Sequence, residues 1–277
     1  MAHKAPALST TDSGNRTPDL GTAPAWFLKS TKHPNAIPAF TEDETNVAVY
    51  WNGCYATSGP IWGLDPSETA IKLISAIRTE IPSTAERLRI VELGCGYGRD
   101  TFALAKAGLD VLAVDTARQG LVLANEYYQR AVKSDVLGRV YFLHGTIRTL
   151  TASATGEQFD GLTSHRALHL MKKEEVISFA RCAAELVRPG GFISIGARSR
   201  RDFDPEIMEW VEGQEGETAK YRDAARNGHF LRFLDEALLR TAFEPYFEVH
   251  FWEGREQERI GSPTLTKLVF MMGTRKS

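Results

Sequence analysis

Val91-Glu92-Leu93-Gly94-Cys95-Gly96-Tyr97-Gly98-Arg99-Asp100 is the stretch on which the reading of this chain turns. Upstream, Leu88, Ile90 and Val91 read as a buried strand; downstream, residues 101–107 read as a helix closed by Gly108. Glycine at alternate positions makes a strand-to-helix turn whose backbone can lie against a ligand with no Cβ between them. The helix behind such a turn aims its free N–H groups at that ligand. The spacing is GxGxG, not the GxGxxG of dinucleotide-binding turns, because Arg99 stands where the last glycine would fall.

A Gly-rich turn also occurs as a plain connection, so its surroundings decide. Residues 109–114 form a second apolar run ending in Asp115, where an acid can accept from both hydroxyls of a ribose. Capping the helix that begins near Thr116 is the plainer use of the same side chain. Glu92 closes the first strand, a place where a carboxylate suits a cation and not a diphosphate. Together these residues resemble the nucleoside-binding motifs of the class I S-adenosylmethionine (SAM) methyltransferases, E/D-x-G-x-G-x-G followed by an acid after the second strand. The resemblance runs over roughly residues 43–277 and implies SAM as cofactor. By that resemblance Gly94, Cys95, Gly96 and Gly98 cradle the methionine end, Glu92 reaches its ammonium group, and Asp115 holds the ribose with Thr116 beside it. After the third strand the family often places an acid on the adenine amino group; this chain has Thr146 there, with Ile147 packing on the ring or in the core. Ser164 and His165, after the fourth strand, complete the expected cofactor contacts.

The chain of 277 residues is 43% hydrophobic and 25% charged, ordinary values for a globular protein. A net charge of −2 with no long basic block gives nucleic acid little to bind. No 18 apolar residues run together and the N-terminus lacks an apolar secretory core, so no membrane association is expected. Cys54, Cys95 and Cys182 have no metal-ligand spacing; no metal and a reduced, cytoplasmic setting are expected.

Residues 1–42 read as a flexible arm, with Trp26-Phe27-Leu28 as an apolar island that either staples the arm to the domain or lids the substrate. Residues 43–277 read as one methyltransferase domain. Asp65-Pro66-Ser67-Glu68 predicts a helix start with Asp65 as N-cap, and Ile71, Ile74 and Ile77 predict its buried face. Further strands are expected at 140–144, 159–163 and 192–197, alternating with helices at 120–132 and 173–187. That order predicts an α/β fold: a doubly wound, mostly parallel sheet with helices on both faces. Late strands at 246–252 and 266–273, after a helix at 235–243, suit an antiparallel pair at one edge. In the family resembled, such a pair completes a seven-stranded sheet.

The acceptor side is expected from two segments. Tyr50, Trp51 and Trp62 lie in a stretch whose W-x3-Y and later WG pattern loosely resembles the tellurite-resistance and thiopurine methyltransferase branch; such aromatics suit a flat acceptor. Residues 198–230 form a charged, cap-like insert. There Arg198, Arg200 and Arg201 either bind a carboxylate- or phosphate-bearing acceptor or pair with Asp202, Asp204 and Glu206; the insert ends at Gly228-His229-Phe230. Arg166 and Phe230 are further candidate acceptor contacts. His165 and His169, four apart, are expected on one helical face as candidate bases, with Tyr50 as another. No Asn/Asp-Pro-Pro-aromatic segment follows the fourth strand, which also argues against a nucleic acid substrate. The expected function is methyl transfer from SAM to the S, N, O or C atom of a small acceptor, such as a specialised metabolite or a heteroaromatic or thiol compound. The alternatives are an NAD(P)-dependent oxidoreductase and a non-catalytic SAM-binding protein.

Overall fold

β1 (Arg89–Leu93) runs parallel to β2 (Asp110–Asp115) on one side and to β4 (Phe159–His165) on the other. β3 (Val140–His144) pairs with β2, and β5 (Val187–Arg198) with β4. β10 (Leu265–Arg275) lies antiparallel to β5, and β9 (Phe247–Gln257) antiparallel to β10. The seven-stranded order β3-β2-β1-β4-β5-β10-β9 reverses between β1 and β4, and a ligand crevice opens where strand order switches. The computed structural model describes residues 39–81, 87–132, 134–153, 158–214, 216–222 and 230–277. The expectations for residues 1–38, and for Gly228 and His229, fall outside them.

β1 and β2 are buried on both faces, as near-continuous apolar runs require. Val91, Leu93, Leu112 and Val114 face one layer with Phe179 and Phe243, while Ile90 and Val111 face the other with Leu73 and Leu104. The first layer is built by α6 (Lys173–Leu186) and α7 (Glu236–Phe243). The second is built by α2 (Glu68–Glu80) and α3 (Arg99–Lys106). α1 (Glu42–Ser58), α4 (Arg118–Tyr127) and α5 (Ile147–Ser153) complete the α-helices among the described residues. None of the described helices is long and apolar enough to cross a membrane.

Two expectations are corrected. α2 is capped by Ser67, not Asp65: the Ser67 hydroxyl accepts from the Ala70 N–H. It also donates to buried Asp100 at 2.6 Å, and the Ser67 N–H donates to the other Asp100 oxygen at 2.7 Å. The buried face is therefore Ala70, Leu73 and Ile77, leaving Ile71 51% exposed. Ser67→Ala removes a cap and one partner of a buried carboxylate, so it should cost on the order of 2 kcal/mol in urea denaturation. An unchanged midpoint would refute this tie. The second correction concerns His165 and His169, which do not share a helical face. β4 continues through Ser164 and His165, which pair with Ile195 and Gly196 of β5, and His169 sits in a 3-10 turn, Leu168–Leu170.

The insert carries a small antiparallel sheet of β6 (Met208–Trp210), β7 (Thr218–Tyr221) and β8 (Phe230–Arg232). Met208, Ala219, Tyr221, Leu231 and Phe233 give it a core of its own, with Phe203 stacked on Trp210 at 3.9 Å.

Candidate active site

The turn after β1 takes left-handed φ values of +75° at Gly94 and +56° at Gly96, a region that favours glycine. A Cβ on Gly94 would lie 2.5 Å from the Ala167 Cβ, and one on Gly96 would lie 2.6 Å from the Tyr55 hydroxyl. The N–H groups of Gly94 and Cys95 both donate to the Val114 carbonyl, which stitches the turn to β2. Asp115 then accepts from the Gly96 N–H at 2.7 Å and the Ala117 N–H at 2.6 Å. One carboxylate thus holds both the glycine turn and the entrance to α4.

Burial raises the Asp115 carboxyl above the usual range, against the opposing pull of those two hydrogen bonds. Glu92 is raised well above it, by burial first and then by the charge of Asp100, although the Thr101 hydroxyl donates to it. The Arg99 guanidinium does not neutralise Glu92; it turns to Asp100 at 3.7 Å and Glu256 at 3.9 Å. Two acids beside one glycine cradle, Glu92 buried and Asp115 half-buried, suit a cationic ligand better than a diphosphate.

The cavity they border has a volume of about 290 Å³, and Thr116, Thr146 and Ile147 are among the residues that line it. Its far wall is aromatic: Trp51 lies 5.8 Å from Tyr55 and 5.4 Å from Trp62, centre to centre, and the Tyr97 ring edge meets Tyr55 at 5.9 Å. The first turn of α1 closes one side, where Glu44 is paired with Arg148 at 2.5 Å and Asp43 with Lys172 at 2.8 Å. His165 lines the cavity with both ring nitrogens engaged, Nδ1 with the Thr69 hydroxyl at 2.7 Å and Nε2 with Glu256 at 2.9 Å. Burial alone would raise Glu256, but the hydrogen bond and charge of His165, with Arg99 and Arg166, hold it down at about 2.

A second cavity of about 50 Å³ adjoins the first and shares Trp51, Trp62 and Arg166 with it. Tyr50, His169 and Arg198 line this smaller space. Burial, then Cys54, pushes Tyr50 up to about 12, so it keeps its proton at neutral pH. Arg198 pairs with Asp202 and donates to the Tyr221 hydroxyl at 2.6 Å.

Five expected residues line neither cavity, exposed Arg200 among them. Gly98 caps α3, and the Ser164 hydroxyl is spent on the Leu93 carbonyl at 2.8 Å. Arg201 lies on the surface paired with Glu253, and Phe230 is 42% exposed at the start of β8. The sequence reading passes over Tyr97, Arg148 and Glu256, while Tyr55, last residue of the W-x3-Y pattern, belongs to the aromatic segment expected on the acceptor side. Glu256 arrives from β9 and had no local signal.

The methyltransferase domain family matches residues 90–191. A ubiquinone biosynthesis O-methyltransferase of Methylocella silvestris is 31% identical over 120 residues, 43% of this chain and 43% of that protein. The match thus spans less than half of that relative's length. The magnesium protoporphyrin IX methyltransferase ChlM of Synechocystis, with bound SAH, superposes with a TM-score of 0.59 at 15% identity, over 85% of this chain and all of that one. TehB of Haemophilus influenzae gives 0.50 at 18% identity, over 83% of this chain and 67% of that one, in keeping with the loose resemblance drawn from the aromatic segment. At such identities the likeness is one of fold. Residues 90–191 thus match the methyltransferase domain family and lie within a seven-stranded sheet whose fold is shared with the ChlM methyltransferase structure.

Proposed function

We propose that this chain binds SAM in the glycine-turn cavity and methylates a small organic acceptor. The observation that carries this reading is the pair of acids, buried Glu92 and half-buried Asp115, flanking a turn where a Cβ at Gly94 or Gly96 would run into Ala167 or Tyr55. Glu92, the backbone of residues 94–96, Asp115, Thr116, Thr146 and Ile147 are the groups that would hold the cofactor. SAM, when bound, supplies a methyl group already activated on a positively charged sulfur.

The chain itself has chiefly to align and to exclude water. Alignment alone can contribute about 7–11 kcal/mol. The aromatic wall of Trp51, Tyr55 and Trp62 supplies a dry face, and the paired first turn of α1 closes one side. His165, fixed between Thr69 and Glu256, acts as a positioning residue. An acceptor that must lose a proton needs a base, worth about 10²–10⁴ in rate. His169, in the smaller cavity, is the candidate for that role, with protonated Tyr50 as a hydrogen-bond donor beside it.

Equilibrium dialysis with SAM, SAH and NAD(P) tests the reading. Binding of SAM or SAH without NAD(P) is expected; the reverse pattern overturns the proposal in favour of an oxidoreductase. Asp115→Ala should weaken SAH binding at least about tenfold, the loss of a charge-assisted hydrogen bond. Unchanged affinity would remove Asp115 from the ribose. Tight SAM binding with no methyl gain across thiols, phenols, amines and indoles would instead favour a non-catalytic SAM-binding protein.

A further inference from the structure

Arg166 stands where the two cavities meet. Among the described residues it is the non-glycine with positive φ, at +56°, and its N–H donates to the Gly196 carbonyl at 2.6 Å. A bulky residue in that region costs about 1–3 kcal/mol and persists where surrounding structure imposes it. Here the conformation follows directly on the end of β4, and the guanidinium lies over the Trp62 ring at 5.2 Å. A guanidinium carries five N–H donors. Arg166 uses two of them on long contacts of 3.4 Å, to the Gln257 carbonyl and the Thr266 hydroxyl. Its Nε is shut off from solvent and has no acceptor among the described residues. Glu256, whose charge reaches Arg166, already accepts from His165.

Arg198, lining the same small cavity, shows the contrast: Asp202 neutralises it and Tyr221 takes another of its donors. Burial, then Arg198, lowers Arg166 to about 10, which leaves it charged at neutral pH. The junction therefore presents one cation with donors to spare, set against two indole rings. The counter-charge of Arg166, Glu256, is shared with His165 and Arg99, so the site suits a monoanion, and the planar fork suits a carboxylate.

We propose that the acceptor is a small aromatic or heteroaromatic acid, its carboxylate paired with Arg166 and its ring lying against Trp51 and Trp62. This rests on reading the larger cavity as the methyltransferase site. It assigns the carboxylate to the residue after β4, not to the surface arginine Arg201.

The test uses the full chain saturated with SAH and follows tryptophan fluorescence. The probes are 4-hydroxybenzoate, salicylate and quinoline-2-carboxylate, each titrated beside its neutral primary amide. At least one acid is expected to bind ten times more tightly than its amide. Arg166→Gln should abolish that preference while leaving SAH affinity, measured by dialysis, unchanged; Arg166→Lys should keep part of it. A merely structural Arg166 would instead weaken acid and amide together. Should Arg166→Gln fail to fold by circular dichroism, the comparison on the unaltered chain still decides. Equal binding of acids and amides, or binding of neither, in a protein that holds SAH overturns the carboxylate assignment alone. Failure to hold SAH at all overturns the reading beneath it.

Discussion

Gly96→Val is expected to lower SAH affinity at least about a hundredfold and to destabilise the fold by on the order of 3 kcal/mol. The residue sits at φ +56°, where a β-branched side chain is strained, and its Cβ would lie 2.6 Å from the buried Tyr55 hydroxyl. From the sequence alone, a side chain here would simply fill the ligand's space in an intact protein. The structure changes that expectation, because the side chain runs into Tyr55 and must displace it. Tyr55 also packs against Gly120 of α4, so its displacement disturbs the seam between α1 and α4. The Gly96 N–H, held by Asp115, moves with the turn. Dialysis against SAH and urea denaturation measure the two effects separately. A valine variant that binds SAH like the unaltered chain would refute the cradle.

Glu256→Gln should cost on the order of 2–3 kcal/mol at neutral pH and almost nothing near pH 2. The folded carboxyl is held at about 2, below its ordinary value of 4.5. A depressed carboxyl contributes stability that is fully present above the unfolded value and is lost as pH falls through the folded one. The window is thus pH 4.5 down to 2, across which the unaltered chain should lose its advantage over the glutamine variant. In space, the substitution leaves His165, Arg99 and Arg166 without a shared counter-charge. Urea midpoints at pH 6 and pH 3 check the prediction; a gap that does not change with pH would show that Glu256 acts through packing instead.

Legibility from sequence followed the range of the interactions. β3 is read to the residue, and β1 and β2 nearly so, because an apolar run bounded by glycine or acid is a local signal. The cap of α2 was misplaced because its decisive partner, Asp100, lies 33 residues downstream of Ser67. β4 was cut short at Thr163 because polar Ser164 and His165 look like a loop, yet β5 supplies their backbone partners. The start of β5 was hidden in the same way: Arg188-Pro189-Gly190-Gly191 reads as a stop, but the strand begins at Val187 and passes through it with a shift in register. Within the site, the acids and glycines were visible because they sit beside their own strands. Glu256 was not, since 91 residues separate it from His165 and only the sheet edge brings them together. The core of the insert was masked by the charges among which Met208, Tyr221 and Leu231 are scattered.

One feature of the insert bears on how such a protein can diversify. Arg232, on β8, donates to the Leu170 carbonyl at 2.8 Å and reaches Asp43 of α1 at 3.5 Å. The little sheet therefore braces the segment after β4 and the helix across the opening, without touching the glycine turn. Changes in its length or packing can remould one end of the crevice while the other end is inherited intact, so novelty and constraint are carried by separate portions of a single polypeptide.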